Sequence, residues 1–335
     1  MSIKYIREFN SIRGISIILV LITHLDLFAI LPENSFFQEN IWRYVSGRNG
    51  VTIFFTLSGF LITKILLLER EKTGSISLKR FFIKRFLRLT PPLIIFYIIT
   101  TISILNNITP HDNTSLIYAI CYLYNYVPKP HYIGEYGHLW SLSLEEQFYL
   151  IWPIIFKFLF KQHFIVIISC LSISVSAFIF NVSFSSYFPN HLFDRFFFPA
   201  SYPIFIGALF AIIDKKTSIG FHFWKKNIFA LILFLTPLIL HRDLLYFSDI
   251  IFPVFYGYLF VIFFERKITF KFLPLEYLGK ISYGVYVYQG FFLKTGPSSD
   301  FYMQKPPLNI LLTMLTSVIS YEFFEKKILK FKNNF

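Results

Sequence analysis

One arginine and one histidine interrupt the first apolar stretch of the chain, which runs from about residue 11 to residue 31. Arg13 precedes His24 by eleven residues. At 100° per residue, this spacing brings both side chains to the same face of a helix, about 16 Å apart along its axis. Ionisable groups inside a membrane are costly and therefore candidates for function, and an imidazole can serve as a general base. The alternative is that Arg13 anchors the helix at the membrane surface while a neighbouring helix satisfies His24.

A second group of polar residues begins at His138, where a loop leads into another apolar stretch. His138, Ser141, Glu145 and Tyr149 follow one another at spacings of three and four residues. These four share one helix face if the helix begins that early, whereas Glu146 points about 100° away. Two adjacent carboxyl groups at the top of an apolar helix are unusual, and they mark this segment as a candidate site.

A carboxylate beside a histidine has a definite chemical use. If Glu145 accepts a hydrogen bond from one ring nitrogen of His24, it fixes the tautomer and leaves the other nitrogen basic, as general base catalysis requires. The alternative is helix capping, with Ser141 or Ser143 as the N-cap and the carboxylates favoured by the positive end of the helix dipole.

A third candidate lies in the basic segment before the third apolar stretch. Arg85 and Arg88 are three residues apart and therefore neighbours on a helix surface, where they can grip one multiply charged anion such as a nucleotide phosphate. Basic residues also collect at the cytoplasmic ends of membrane spans without any ligand. Charge alone does not separate these two interpretations.

Three weaker signals lie in or near apolar stretches. Ser58 and Gly59 are small residues of the kind that let membrane helices approach each other. Tyr283 follows a serine in the ninth apolar stretch. We interpret the segment 47–50, which contains two glycines, as a turn.

The composition indicates what kind of protein must position these residues. Of 335 residues, 55% are apolar and only 15% are charged, whereas a soluble domain has about 25% charged residues. A membrane span needs about 20 mostly apolar residues. Ten stretches meet this requirement, at about residues 11–31, 51–68, 86–105, 143–160, 163–181, 195–213, 227–240, 248–264, 277–293 and 308–324. The segment 116–127 is too short to span, and we interpret it as interfacial or re-entrant.

The basic residues give these spans an orientation, because cytoplasmic loops are enriched in Lys and Arg. With the N-terminus inside, the inner segments hold 21 Lys and Arg, the outer loops hold 6, and 5 lie at or within span ends. We predict an all-α polytopic membrane protein with about ten transmembrane helices, both termini cytoplasmic and no separate soluble domain within residues 1–335. His24 and Glu145 then lie in the outer half of the bilayer, and Arg85 and Arg88 lie at its inner face.

This topology explains the net charge of +13, which therefore gives no support to nucleic-acid binding. Cys121 and Cys170 fit neither a disulfide framework nor a zinc site, and we expect no metal. The sequence contains no Walker, GxSxG or HExxH motif, so nucleotide hydrolysis, soluble-hydrolase chemistry and zinc proteolysis have no support.

Five stretches of the chain, in order and nearly end to end, resemble a known family. They are Phe9–His24, Gly50–Thr63, Ile76–Pro92, His138–Leu150 and Ile281–Tyr286. The family is the acyltransferase-3 membrane proteins, which include bacterial O-antigen and exopolysaccharide O-acetyltransferases. The resemblance implies an enzyme of the bacterial cytoplasmic membrane that moves an acyl group, commonly acetyl from acetyl-CoA, onto a carbohydrate hydroxyl. Lipopolysaccharide is among the acceptors that this implies.

The resemblance also implies roles for particular residues. It makes His24 catalytic and Arg13 essential, and it associates Arg85 and Arg88 with the acyl-CoA. The chain departs from the family pattern at Asn10-Ser11, where Asp-Gly is usual, and at Gln289, where histidine is frequent. The second departure removes a titratable group from the ninth span.

Together these observations predict that His24 is the general base for the acceptor hydroxyl and that Glu145 orients it. Glu146 and Trp140 would shape the acceptor site, the indole as a stacking surface for a sugar, although interfacial packing explains an indole there equally well. Direct transfer and a two-step route through an acylated enzyme both stay open.

The expected partners are acyl-CoA as a co-substrate, a carbohydrate or lipid-linked glycan, and membrane lipid, with no tightly bound cofactor. Family members that carry an extra periplasmic domain are longer than this chain, so we expect none here. A rival function is transport of a glycan precursor by a flippase, but the two related halves that transporters often show are absent from the sequence. An inactive scaffold is a third function class, and the presence of Arg13, His24 and Glu145 argues against it.

Overall fold

The computed structural model describes residues 6–25, 41–159, 163–184, 193–216, 223–239, 247–265, 272–293 and 301–331. Within these residues the regular structure is helical, and no strand is present. The long helices are α1 (Arg7–His24), α3 (Gly47–Thr73), α4 (Leu78–Leu105), α6 (Leu139–Leu159), α7 (His163–Phe184), α9 (Tyr202–Lys216), α10 (Phe223–Ile239), α11 (Ser248–Phe264), α12 (Leu273–Phe292) and α13 (Leu308–Ser320). The shorter helices are α2 (Trp42–Val45), α5 (Asn113–Ile120), α8 (Phe197–Ala200) and α14 (Lys326–Phe331), with a π-helical segment at Tyr321–Glu325.

The helices follow the predicted apolar stretches. Helix α11 begins and ends where it was predicted, whereas α4 begins eight residues before the predicted span at residue 86 and so includes the basic segment. The predicted span 195–213 is instead divided at Ser201 into α8 and α9. Residues 26–31 of the first predicted span lie outside the described residues.

Among the described residues, two helices, α3 and α4, are both long enough and apolar enough to cross a membrane. The shorter apolar helical segments are Ile168–Phe180, Tyr202–Asp214 and Ser248–Phe264. The count of ten spans and the cytoplasmic location of the termini therefore stay predictions. Rows of apolar side chains on the outside of the bundle, such as Leu311, Leu315, Ile319 and Phe323, are what a lipid environment favours.

The segment 47–50 is the first turn of α3, so its interpretation as a loop turn was wrong. The hydroxyl of Ser46 caps this helix by accepting a 3.3 Å hydrogen bond from the Asn49 backbone N–H. The glycine at position 50 serves packing, since a Cβ there would lie 2.6 Å from the Ser16 carbonyl oxygen of α1. A pattern of glycines in the sequence does not distinguish a turn from a close contact between two helices.

Helices α3 and α9 cross at two glycines. A Cβ on Gly59 would lie 1.9 Å from the Ile204 carbonyl oxygen, and a Cβ on Gly207 would lie 2.0 Å from the Thr56 carbonyl oxygen. Each glycine therefore leaves room for the backbone of the other helix. The prediction that Gly59 lets helices approach is confirmed.

A buried ion pair between Lys64 and Asp214 joins α3 to α9 beyond this crossing. The two side chains are 5% and 7% exposed, and the Lys64 ammonium also lies 4.8 Å from the centre of the Phe264 ring. A charge buried to this degree needs a partner, so the pair fixes the relative position of the two helices.

Helices α1 and α12 cross in a similar way. A Cβ on Gly279 would lie 1.7 Å from the Asn10 carbonyl oxygen, and a Cβ on Gly14 would lie 2.4 Å from the Leu275 carbonyl oxygen. This crossing brings α12 against the helix that carries Arg13 and His24.

The segment between α4 and α6 contains the short helix α5 and three 3₁₀ turns, and no helix in it is long enough to span. Asp112 caps α5 through a 2.6 Å hydrogen bond from the Ser115 backbone N–H. The other carboxylate oxygen of Asp112 accepts a 2.9 Å hydrogen bond from Nδ1 of His131. The hydrogen bond from His131, together with the one from the Ser115 backbone N–H, lowers the pKa of Asp112 below its ordinary value.

Candidate active site

Helix α6 carries both carboxylates of the candidate site, and it begins at Leu139. The hydroxyl of Ser143 donates back to the Leu139 carbonyl at 2.8 Å, and that of Ser141 approaches the His138 carbonyl at 3.3 Å. Because the helix begins before both serines, the interpretation of either as its N-cap was wrong. The early start places Ser141, Glu145 and Tyr149 along one face of α6, as their spacing predicted.

Three arginines from two helices line one cavity at the centre of the bundle. Arg13 comes from α1, whereas Arg85 and Arg88 come from α4. Ser58 of α3 and Glu145 of α6 line the same cavity. We call it the arginine cavity; Ser141, Tyr283 and Tyr286 also line it.

A second cavity continues from the same three arginines toward the beginning of α1. It is lined by Ile6, Phe9 and Asn10 together with Ser58, Tyr149 and the arginines, and we call it the N-terminal cavity. Arg13 also donates a 3.1 Å hydrogen bond to the side-chain oxygen of Asn10, one of the two positions that depart from the family pattern. The three arginines therefore line both the arginine cavity and the N-terminal cavity.

The guanidinium of Arg85 has both an aromatic and an acidic neighbour on α6. Its central carbon lies 3.5 Å from the centre of the Tyr149 ring, which is a cation–π contact. Its Nε lies 3.8 Å from a carboxylate oxygen of Glu146. The structure therefore places Glu146 beside Arg85, whereas the sequence assigned Glu146 to the acceptor site.

Glu145 takes part in a different contact from the one predicted. The Oγ of Ser58 donates a 2.7 Å hydrogen bond to its carboxylate oxygen. Glu145 lines the arginine cavity, whereas His24 lines a separate cavity. The contacts of Glu145 thus link it to α3 and to the arginines, and the structure does not bring it to His24 as the sequence had suggested.

His24 lines a larger cavity of about 490 Å³, which we call the histidine cavity. A second imidazole, that of His138, lines the same cavity. The indole of Trp140 is there as well, with the guanidinium carbon of Arg195 at 5.7 Å from its ring centre. The other polar residues that line it include Thr23, Arg48, Thr52, Asp194, Tyr202 and Tyr286.

Three side chains form a wall between the arginine cavity and the histidine cavity. Val51 and Phe55 of α3 and Tyr286 of α12 line both. The hydroxyl of Tyr286 donates a 3.0 Å hydrogen bond to the His138 carbonyl and is also hydrogen-bonded to the Ser141 hydroxyl. Tyr286 therefore links α12 to the beginning of α6 at the boundary between the arginine cavity and the histidine cavity.

A family model described as an acyltransferase domain matches residues 6–320 of the chain. The chain belongs to this acyltransferase-3 family. The family is membrane-integral, which agrees with the apolar helices α3 and α4. No solved structure matches the sequence.

The chain is similar to several bacterial proteins. It is 34% identical to the peptidoglycan O-acetyltransferase OatA of Listeria monocytogenes over 163 residues, which is 45% of this chain and 24% of that protein. It is 35% identical to a putative O-acetyltransferase of Staphylococcus aureus strain COL over 166 residues, 45% of this chain and 25% of the relative. Against the O-acetyltransferase OatA of S. aureus strain NCTC 8325, the identity is 28% over 364 residues, 98% of this chain and 58% of the relative. The chain thus spans between about a quarter and three-fifths of the length of these relatives.

Several buried or cavity-lining residues were given no role by sequence reasoning. His138 and Tyr286 stood within quoted family stretches but were given no role, and Arg195 was counted only as a charge at a span end. Glu325 is 5% exposed and accepts a 2.9 Å hydrogen bond from the Ser320 hydroxyl. An acidic residue directly after the last apolar stretch was a signal that could have identified Glu325.

Two residues singled out in the sequence, Tyr283 and Gln289, lie on α12. Tyr283 lines the arginine cavity and donates a 3.1 Å hydrogen bond to the Leu89 carbonyl of α4. Gln289 is fully buried in α12, and its amide makes no hydrogen bond within the described residues. Among those residues, no group of three or more His, Cys, Asp or Glu side chains could hold a metal ion.

Proposed function

We propose that this protein is an O-acyltransferase that moves an acyl group, acetyl in the first instance, from acyl-CoA to a hydroxyl of a cell-surface or lipid-linked carbohydrate. The observation that carries the proposal is the convergence of Arg13, Arg85 and Arg88 on one cavity between the N-terminal cavity and the wall toward His24. This arrangement offers an anion-binding region on one side of the wall and a histidine on the other.

The arginine cavity suits the phosphates of a coenzyme A thioester. Guanidinium groups bind phosphate through paired N–H donors, and here three of them face one space. The Tyr149 ring, 3.5 Å from the central guanidinium carbon, helps to hold Arg85 in place beside the cavity. On the predicted topology this region faces the cytoplasm, where acyl-CoA is made.

The histidine cavity suits a carbohydrate acceptor. Its volume of about 490 Å³ falls within the range of small-molecule sites, about 300–1,000 Å³. Trp140 offers a ring face for a sugar, and Arg195 beside it supplies hydrogen-bond donors. The Listeria relative is named for peptidoglycan, so a glycan is also the acceptor class that the comparisons favour.

The proposed reaction follows from the separation of the arginine cavity from the histidine cavity. The acyl arm of the donor passes the wall formed by Val51, Phe55 and Tyr286 and presents its thioester to the histidine cavity. His24 accepts the proton of the acceptor hydroxyl as that oxygen attacks the carbonyl carbon. Glu145, held by Ser58, balances the charge of the arginines instead of orienting His24.

The protein would then act as a multi-pass enzyme of the bacterial cytoplasmic membrane. Family membership favours group transfer over the rival function of glycan transport.

The proposal is tested by the acyl content of the host's surface glycan. The His24→Ala variant and the wild type are expressed to equal levels in the host, and O-acyl groups are measured by NMR. We expect the variant to lose the O-acylation that the wild type confers. Undiminished acylation in the variant would refute the catalytic role of His24, and no wild-type acylation of any glycan would refute the proposed function.

A further inference from the structure

Arg195 is a cation of the histidine cavity for which the proposed reaction names no partner. It ends the 3₁₀ turn Phe193–Arg195, and its side chain lines the same cavity as His24. Its guanidinium carbon lies 5.6 Å from the centre of the Tyr132 ring and 5.7 Å from that of the Trp140 ring. Both distances are within the range of cation–π contacts, so a loop residue and a residue of α6 together hold the guanidinium in place.

The contacts of Arg195 supply no acceptor for its N–H groups. Among the described residues it forms no ion pair and no hydrogen bond. Its nitrogen atoms are accessible, since none of them is enclosed without a partner. A guanidinium has five N–H donors, and aromatic rings balance part of its charge without accepting these hydrogens in normal geometry. The donors of Arg195 therefore stay available to a group that enters the cavity.

Another arginine of this cavity, Arg48, has acidic partners instead. Its guanidinium forms a 2.9 Å ion pair with Asp249. The carboxylate of Asp194, which also lines the cavity, interacts electrostatically with Arg48 as well. Two carboxylates thus compensate Arg48, whereas no carboxylate of the described residues lies at ion-pair distance from Arg195. The distribution of charge leaves Arg195 as the cation that a ligand can neutralise.

The setting of Arg195 favours an anionic partner. On the predicted topology the histidine cavity lies in the outer half of the bilayer, where a charged group is costly unless it is paired. A guanidinium binds a carboxylate through two parallel N–H···O hydrogen bonds, and the hydroxyl of a neutral sugar cannot balance its charge. A sugar acid carries such a carboxylate on its ring, so one sugar can offer a ring face to Trp140 and an anion to Arg195.

We propose that the acceptor carbohydrate contains an acidic sugar, and that Arg195 binds the carboxylate of this sugar in the histidine cavity. This inference rests on the proposed function. Arg195 takes no part in the transfer of the acyl group or of the proton. It determines specificity, because a carboxylate held at Arg195 selects the sugar and fixes which of its hydroxyls lies near His24.

The test changes the arginine and the carboxylate separately and together. Surface glycan is isolated from a host strain that lacks the protein, and it is used native, with its carboxyl groups reduced to alcohols, or dephosphorylated with hydrofluoric acid. Purified wild type, Arg195→Met and Lys129→Met receive each preparation with [¹⁴C]acetyl-CoA, and base-labile label gives kcat/KM for the glycan. Elution as a single peak in detergent establishes folding.

Lys129→Met is the matched control. Lys129 is an exposed cation three residues before Tyr132, and it lines none of the three cavities. The substitution therefore removes one positive charge from the same loop without changing the cavity, and we expect the rates of the wild type with every preparation.

We expect Arg195→Met to lower kcat/KM for the native glycan by about 10–100-fold, since a hydrogen bond to a charged group is worth this factor. The KM for acetyl-CoA should not change. Carboxyl reduction should lower the value of the wild type to a similar extent, whereas dephosphorylation should not. The variant and the reduction together should cost no more than either alone, because both remove the same contact.

Several outcomes would overturn the inference. They are a wild type that acylates the reduced glycan as fast as the native one, losses that multiply when the two changes are combined, and a folded Arg195→Met with the wild-type rate. A loss caused by dephosphorylation instead would assign Arg195 to a phosphate of the acceptor and reject the acidic sugar.

Two further results keep the test decisive. If Arg195→Met does not fold, Arg195→Lys is compared in the same way, because lysine keeps the charge but lacks the paired donors and should lose part of the preference for the native glycan. A wild type that labels no glycan in any preparation would refute the proposed function itself, which is distinct from acylation that ignores the carboxylate.

Discussion

The hydroxyl of Ser58 donates a 2.7 Å hydrogen bond to the carboxylate of Glu145, which joins α3 to α6 beside three arginines. Ser58 is thus more than a small residue at a helix contact, and its neighbour Gly59 serves the crossing with α9. Two adjacent residues of one helix therefore have separate tasks, one in the cavity and one in packing.

This bond predicts the effect of removing the hydroxyl. A hydrogen bond to a charged group contributes about 1.5–3 kcal/mol, so Ser58→Ala should lower the acyl transfer rate by roughly tenfold or more. The loss follows because Glu145 is no longer held in the arginine cavity. Transfer from [¹⁴C]acetyl-CoA in membranes measures it, with Ser176→Ala as the control because that exposed serine bonds only within α7. Equal rates in the two variants would contradict the role given to Ser58.

The contact of Arg85 with Tyr149 predicts that lysine cannot replace this arginine. Lysine keeps the charge but lacks the planar guanidinium that stacks on the ring and binds phosphate through paired donors. Both Arg85→Lys and Arg88→Ala should raise the KM for acetyl-CoA by about 10–100-fold.

Steady-state kinetics with varied acetyl-CoA gives this measurement. Arg80→Ala is the matched control, since Arg80 lies on the same helix with a side chain 51% exposed. An unchanged KM in both site variants would remove the phosphate assignment.

The buried pair of Lys64 and Asp214 predicts a specific pattern of stabilities. Removing one partner leaves a buried charge alone, so Lys64→Met should destabilise the protein by about 3–5 kcal/mol. The double variant Lys64→Met with Asp214→Leu should recover most of that loss, because neither charge then stays buried.

Thermal unfolding in detergent, followed by loss of the single elution peak, checks this pattern. Lys326→Met removes a partner of the exposed Glu322 and should change the midpoint little. A double variant no more stable than Lys64→Met would show that the pair has a function other than neutralising charge.

The loop pair of Asp112 and His131 predicts a pH dependence. The hydrogen bond from His131 lowers the pKa of Asp112 in the folded loop, so its stabilising effect is complete above the unfolded value of about 3.9. The effect is lost as the pH falls through the lower folded value.

Hydrogen exchange of α5 should therefore be slow near pH 5 and become faster, relative to the expected intrinsic rate, as the pH falls below the unfolded-state value of about 3.9 and through the lower pKa of the folded loop. Asp112→Asn should remove this transition, since it cannot ionise. A transition that persists in Asp112→Asn would assign the pH dependence to another group.

The sequence predicted much of the fold because lipid imposes a simple rule. Spans must be apolar and helical, so most helices follow the apolar stretches, and α11 coincides with its predicted limits. The wrong predictions concern features that this rule does not cover. The glycines before residue 51 were interpreted as a turn, although Gly50 lies inside α3 to admit the backbone of α1.

The sequence by itself determined the helical class, the family, and the residues worth examining, including Arg13, His24 and the arginines of α4. Helical spacing was sufficient to place Ser141, Glu145 and Tyr149 on one face. Only the tertiary structure decided that this face meets Ser58 and lines a cavity with the arginines, and that His24 of α1 lines a different cavity. The physical reason is that the period of a helix fixes the direction of a side chain, whereas its partner depends on how closely other helices cross, which here is set by glycines far away in the sequence.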